Sequence, residues 1–269
     1  MEIIELLETL RMRRPAEHLS NDPLSFCHRF RDPVDQEIAA LIAASFAYGS
    51  IGVIMRSLRT IFDRIGPSPR RFIETFQIQR ERDHFREFRH RFNDGDDLVA
   101  LFAAIRRIID QWGEIGPFVI EGDDPRDPDI TRTLDRFSTR VISFDYGEIF
   151  GTPTPRDNST CKRLCLLFRW MARAADGVDL GLWGEISPSR LVIPVDRHIE
   201  RISRLLGFTR RSTPSWRMAQ EITLSLRRFD PHDPVKYDFS LAHLGISEGC
   251  DGKEGIACQG CHLRVVCPR

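Results

Sequence analysis

The last twenty residues, CDGKEGIACQGCHLRVVCPR, carry four cysteines in the spacing Cys250-x7-Cys258-x2-Cys261-x5-Cys267. Four thiols within eighteen residues can fold around one metal centre, with the close pair Cys258 and Cys261 supplying adjacent ligands. Spacing alone admits a four-cysteine zinc site as readily as an iron–sulphur cluster, because zinc accepts the same thiolates in a tetrahedral array. The N-terminal stretch MEIIELLETLRMRR places acids before bases and has no apolar core, so it does not read as a secretory signal. A cytoplasmic location is therefore expected, where thiols stay reduced and clustered cysteines point to metal rather than to disulfides. The remaining cysteines, Cys27, Cys161 and Cys165, are read as small buried hydrophobes.

Ahead of this tail the punctuation is helical. Asp32 and Pro33 open a helix as N-cap and first-turn residue, and Gly49 is expected to stop it. Its apolar positions are nearly continuous, which predicts burial on most sides. Further helices are expected over 51–65, 97–112, 130–142, 161–175, 196–206, 214–229 and 234–244. Residues 77–94 read as a solvated helix or linker, and 147–160 as an irregular segment. No run alternates with period two strongly enough to predict a strand. Apolar runs fall short of the roughly 20 residues that span a bilayer, so no membrane partner is expected. The expected class is all-α, with residues 1–269 as one compact unit and a monomer by default.

Basic and acidic residues balance at 39 each, which counts mildly against a dedicated nucleic-acid binder. Of the 39 basic residues, however, only Lys162, Lys236 and Lys253 are lysines. An amine nucleophile must be able to lose its proton, which arginine does not do. Each lysine is therefore a candidate for chemistry, against the plainer reading as a surface charge or phosphate contact.

The tail resembles the Cys-x6-Cys-x2-Cys-x5-Cys loop that holds a four-iron, four-sulphur cluster in endonuclease III and the adenine glycosylases, with one residue added between the first two cysteines. The segment DFSLAHLGISEGC (Asp238 to Cys250) is similar to the helix leading those enzymes into their cluster. The string IPVDRHIERISRLLG (Ile193 to Gly207) resembles the stretch of helix-hairpin-helix DNA glycosylases that carries the catalytic aspartate. In its motifs EIAALIAASFAYG, CKRLCLLFRWMAR, VDLGLW and IPVDRHI, the chain is also similar, over roughly residues 33–267, to a bacterial family of unknown function related to that superfamily.

The resemblance implies a 4Fe-4S cluster on Cys250, Cys258, Cys261 and Cys267, with zinc as the alternative. It implies a glycosylase-like all-α fold of two helical subdomains with a cleft between them. One would use residues 36–150, the other 1–35 with 190–249, and 250–269 would form the cluster loop. Asp196 would be the catalytic carboxylate; without the likeness it reads as an N-cap of its helix. The Leu-Pro-Gly-Val-Gly type of DNA-gripping hairpin is missing, since no glycine lies between Gly151 and Gly177. Lys162 stands in that region, 34 residues before Asp196, an arrangement similar to an archaeal 8-oxoguanine glycosylase/lyase family. The implied activity is removal of a base from DNA, with Lys162 as a Schiff-base nucleophile. The alternative is a non-catalytic iron–sulphur nucleic-acid-binding protein on the same fold. Trp183 is a candidate face for a flipped base, and Arg163 and Arg197 are candidates for contacts to substrate. Phe168 is expected in the core, His198 as a packing residue, and Ser159 or Thr160 as the cap of the Lys162 helix.

Overall fold

Asp32 begins the central helix of the structure by accepting the amides of Val34 and Asp35 at 3.0 and 3.2 Å, and Pro33 takes the first helical position, where no amide partner is needed. This computed structural model describes residues 2–13, 15–144 and 154–268. The central helix, α3 (Pro33–Ser45), is buried along almost its whole length. It ends four residues before Gly49: Phe46 keeps a helical bond to Ile42, and Ala47 and Tyr48 turn out of it by bonds to Ala44 and Phe46. Alanines at 39, 40, 43 and 44 let neighbours approach its backbone closely. The neighbours are a 3-10 segment (Pro23–Arg29), α5 (Pro69–Thr75), α8 (Ile115–Glu121) and α10 (Lys162–Ala172).

Buried Glu37 on α3 accepts the amides of Ile115 and Gly116 and the indole N–H of Trp183, at 2.7, 3.0 and 2.6 Å. One carboxylate thereby satisfies the open N-terminus of α8 and pins the 177–194 connection to α3. Burial pushes that carboxyl up, against the pull of the three donors.

Among the described residues the chain is all-α apart from one two-residue ladder. Helices α1 (Ile3–Arg11) and α2 (Pro15–Leu19) precede α3; α4 (Ile51–Ile65), α5, α6 (Ile78–His84), α7 (Gly95–Trp112), α8 and α9 (Thr131–Ile142) follow it. After α10 come α11 (Arg197–Leu205), α12 (Trp216–Leu226) and α13 (Asp238–Ile246). The ladder corrects the reading of 77–94 as helix or linker: α6 is followed by β1 (Arg89–His90) and β2 (Asn93–Asp94), antiparallel, with His90 opposite Asn93. Of the expected irregular segment, 147–153 lie outside the described residues, and 155–157 form a single 3-10 turn.

One contiguous hydrophobic core runs from Leu6 to Leu263, crossing the 35/36 boundary expected between subdomains. Beneath it lies a buried ionic group. Arg169 on α10 bonds Asp179 and Asp238, and Arg173 bonds Asp176, Asp179 and Asp233. These bonds tie α10 to α13 and to the loop between them, and so fix the helix that carries Lys162. No helix among the described residues is long and apolar enough to cross a membrane.

Candidate active site

α10 opens at Lys162, directly after Cys161, which holds a left-handed conformation (φ 50°) as N-cap. Neither Ser159 nor Thr160 caps the helix; the hydroxyl of Ser159 instead accepts the amide of Cys161 at 3.3 Å. A cation at the positive end of a helix gains nothing from the helix dipole. Its setting is explained by what reaches it from elsewhere. Nζ of Lys162 lies 3.3 Å from Oδ2 of Asp196 and donates to the carbonyl of Ala47, also at 3.3 Å.

Asp196 divides its two oxygens between two tasks. Oδ1 accepts the amides of His198 and Ile199 at 2.8 and 2.9 Å, capping α11. Oδ2 faces Lys162. Burial alone would raise its carboxyl, but Lys162, the amide of Ile199, His198 and its amide together hold it below the usual aspartate value. The cap reading and the site reading are therefore both served by one side chain.

The pair lies in the wall of a cleft of about 690 Å³. The remaining walls come from the 47–54 turn, the Arg91-Phe92 tip of the β1–β2 hairpin, and α13. Trp170 and Asp238 also line it. Trp170 is 1% exposed, and its indole N–H has no hydrogen-bond acceptor among the described residues. Burial pushes the Asp238 carboxyl up to about 6, against the pull of Arg169. His198 lines the cleft too, and its ring lies where a Cβ on Gly245 would stand, so α11 and α13 meet closely only because residue 245 is glycine.

Of the residues expected to contact substrate, Arg197 is exposed and lines the cleft. With Arg201 and Arg204 it also lines a second groove of about 630 Å³. Arg163 lies just outside the cleft, in a side pocket of about 160 Å³ shared with Tyr48, Ser159 and Lys162. There it donates to the carbonyl of Ser45 at 3.1 Å, and its guanidinium is 5.1 Å from the Tyr48 ring centre. The expectation for Trp183 is corrected. It is 1% exposed, bonded to Glu37 and packed edge-on against Phe168 in the core, so no ligand in the cleft can stack on it. Phe168 is itself fully buried, as expected. Of the three lysines, Lys162 alone lines the cleft, while Lys236 is held by Glu8 and Asp230 at 2.7 Å each.

At the far end of α11, Cys250, Cys258, Cys261 and Cys267 all line one small cavity of about 40 Å³. Burial raises the Cys261 thiol, and the nearby Cys250, Glu248 and Cys258 raise it further. Arg201 donates to the carbonyl of Cys250, and its stem covers Gly252. Among the described residues, no three His, Cys, Asp or Glu side chains converge closely enough to hold a single metal ion. The sequence assigns no site role to Tyr48, Phe92, Trp170 or Asp238, although all four line the cleft; Tyr48, Trp170 and Asp238 stand within the motifs above, where α10 hides Trp170 in an apolar run.

Residues 22–247 match the family model described as a protein of unknown function, DUF2400. No curated protein and no solved structure matches the chain.

Proposed function

We propose, for a chain that belongs to the DUF2400 family of proteins of unknown function, the removal of a base from DNA by a lysine–aspartate pair, in the manner of the helix-hairpin-helix glycosylases that its motifs resemble. The observation carrying this reading is the 3.3 Å approach of Lys162 to Asp196 within the cleft. Two residues 34 positions apart meet at hydrogen-bonding distance in a cavity large enough to take a nucleotide.

In this reading the Lys162 nitrogen attacks C1′ of the sugar. The C–N bond forms as the glycosidic bond breaks, and its electron pair leaves with the base. At an existing abasic site the same nitrogen adds to the C1′ aldehyde, and the oxygen departs as water to leave an imine. Asp196, held ionised by its cap bonds and by Lys162, faces the positive charge that develops on the sugar carbon, and the proton that the amine sheds goes to the departing base. Arg197, with Arg201 and Arg204 beyond it, would contact flanking phosphates.

The four cysteines would hold a 4Fe-4S cluster. All four line one cavity, and the likeness of their spacing to the endonuclease III loop supports a cluster there, with a four-cysteine zinc site as the alternative. When bound, the cluster would cross-link the tail to itself at its four cysteines, and the base-removal chemistry is carried by Lys162 and Asp196.

Borohydride trapping on a duplex with one abasic site, using protein purified without oxygen, tests this directly. A covalent adduct is expected that is abolished by Lys162→Ala, kept by Lys236→Ala and slowed about a hundredfold by Asp196→Asn, within the range of general acid–base effects. No adduct would remove the Schiff-base step. Release of a base from a base-bearing duplex without an adduct would assign the attack to water beside Asp196, and binding without either would favour the non-catalytic alternative.

A further inference from the structure

The hairpin β1–β2 presents a feature that base-removal chemistry does not use. Its two strands are joined by a two-residue turn, Arg91-Phe92. Phe92 is 86% exposed at the tip, on the wall of the cleft that holds Lys162 and Asp196. An isolated phenylalanine on a small hairpin adds nothing to the core, and the hairpin beneath it is firmly anchored. His90 is fully buried, with its ring nitrogens 2.9 Å from the hydroxyl of Ser57 and 3.0 Å from the carbonyl of Tyr48. The Tyr48 hydroxyl in turn bonds the carbonyl of His90 (3.0 Å) and the side chain of Asn93. Asn93 donates to Asp97 on α7 at 3.0 Å.

The turn itself is held in an uncommon form. Arg91 has φ 56° at a position where a two-residue hairpin ordinarily uses glycine. Its stem lies over the bare backbone of Gly49, where an added Cβ would stand 2.9 Å from Arg91 Cδ. The guanidinium is 5.4 Å from the centre of the Phe92 ring. The result is one aromatic ring and one cation, fixed at the mouth of the cleft on a braced mount.

We propose that this tip is a wedge for duplex nucleic acid: Phe92 enters the base stack and fills the space left by the nucleotide turned towards Lys162, while Arg91 meets the adjacent phosphate. The inference rests on the reading of the cleft as a nucleic-acid site. Charge favours this occupant. Arg91 and Arg197 line the cleft without an ion-pair partner among the described residues, whereas the carboxylates of Asp196 and Asp238 are paired with Lys162 and Arg169. A single projecting ring is too small to dock a protein face, which takes an apolar patch of several hundred Å². It is the right size to replace one base, and apolar side chains placed between base steps are an established way to hold them apart.

The test is equilibrium binding to a duplex with a central abasic site and 2-aminopurine as its neighbour, alongside an intact duplex. The wild type is expected to brighten the 2-aminopurine as the stack opens. Phe92→Ala should weaken binding to the abasic duplex about tenfold and remove the brightening, since stacking on one aromatic ring is worth that much. Phe92→Trp should restore both and show quenching of its own emission on binding. Residue 92 is exposed, so loss of fold does not confuse the result. If Phe92→Ala binds and brightens as the wild type does, the wedge is wrong while the nucleic-acid reading stands. If the wild type binds neither duplex, both readings fall. If no borohydride adduct forms but Phe92→Ala still weakens binding tenfold, the wedge stands without lysine chemistry.

Discussion

Asp196 both caps a helix and pairs with Lys162. A carboxylate that caps a helix is already desolvated on one oxygen and already stabilised as an anion by two amides. Placing Lys162 against the second oxygen yields an ion pair whose geometry is set by a helix end rather than by long flexible side chains. The capping and the pairing can be separated by experiment, because asparagine keeps the cap acceptor and loses the charge. The Asp196 carboxyl is held below its unfolded value, so its contribution to stability is complete above about pH 4 and is lost as pH falls through the folded value. Asp196→Asn should therefore destabilise the protein by about 1 kcal/mol at neutral pH, with the difference shrinking towards zero in acid. Urea titrations of both proteins from pH 7 down to pH 3 measure this. A gap that is constant across the range would mean that the charge contributes nothing and that only the side chain's shape matters.

At the level of elements, α10 explains why the site is precise and why part of it could be read in advance. The N-cap and proline of α3, the glycine closing α4 and the helix following Asp196 are local signals, and local signals survive folding. The β1–β2 hairpin has no such signal. Its turn is Arg91-Phe92 rather than Asn-Gly, and its strands are two residues long, so it is defined by Tyr48 and Ser57 bonding to His90 from distant positions. Trp183 departs from expectation for the same reason: a glycine-flanked tryptophan resembles a pocket residue until Glu37, 146 positions away, claims its N–H. Arg169 was likewise invisible as a structural hub. With Asp179 and Asp238 it forms a buried group in which each charge depends on the others. Removing one member of such a group typically costs about 3–5 kcal/mol, because the partners remain buried and unpaired. Arg169→Met is expected to lose that amount in chemical denaturation, and Arg169→Met combined with Asp238→Leu to recover much of it. Two additive losses in this double-mutant cycle would show that the pair is not coupled.

Over the whole molecule, the two ends of the described chain close on each other beside the cleft. The 3-10 turn His262–Val265 packs on α1, with Leu263 buried there. Glu8 on α1 accepts from Tyr237 and Lys236 at 2.7 Å each, next to the start of α13. α11 joins this closure to the site: Asp196 caps its first turn, Arg201 at mid-length bonds the carbonyl of Cys250, and Leu205 reaches the cysteine cavity. Nine residues of helix, about 13 Å, thus separate the cysteine tail from the lysine–aspartate pair. If the tail holds a cluster, losing it should loosen both structures it touches while leaving the central helices intact. Cys258→Ser, prepared without oxygen, is accordingly expected to lose iron and to exchange backbone amides faster over residues 3–11, 197–205 and 256–266. Protection over α3 and α7 should be unchanged, because their core contacts do not involve the tail. Hydrogen exchange read by mass spectrometry, alongside iron and zinc analysis, distinguishes the outcomes. Zinc in place of iron with the same exchange pattern would keep the mechanical role and change the metal. Unchanged exchange over 197–205 after metal loss would show that the tail does not support the helix bearing Asp196.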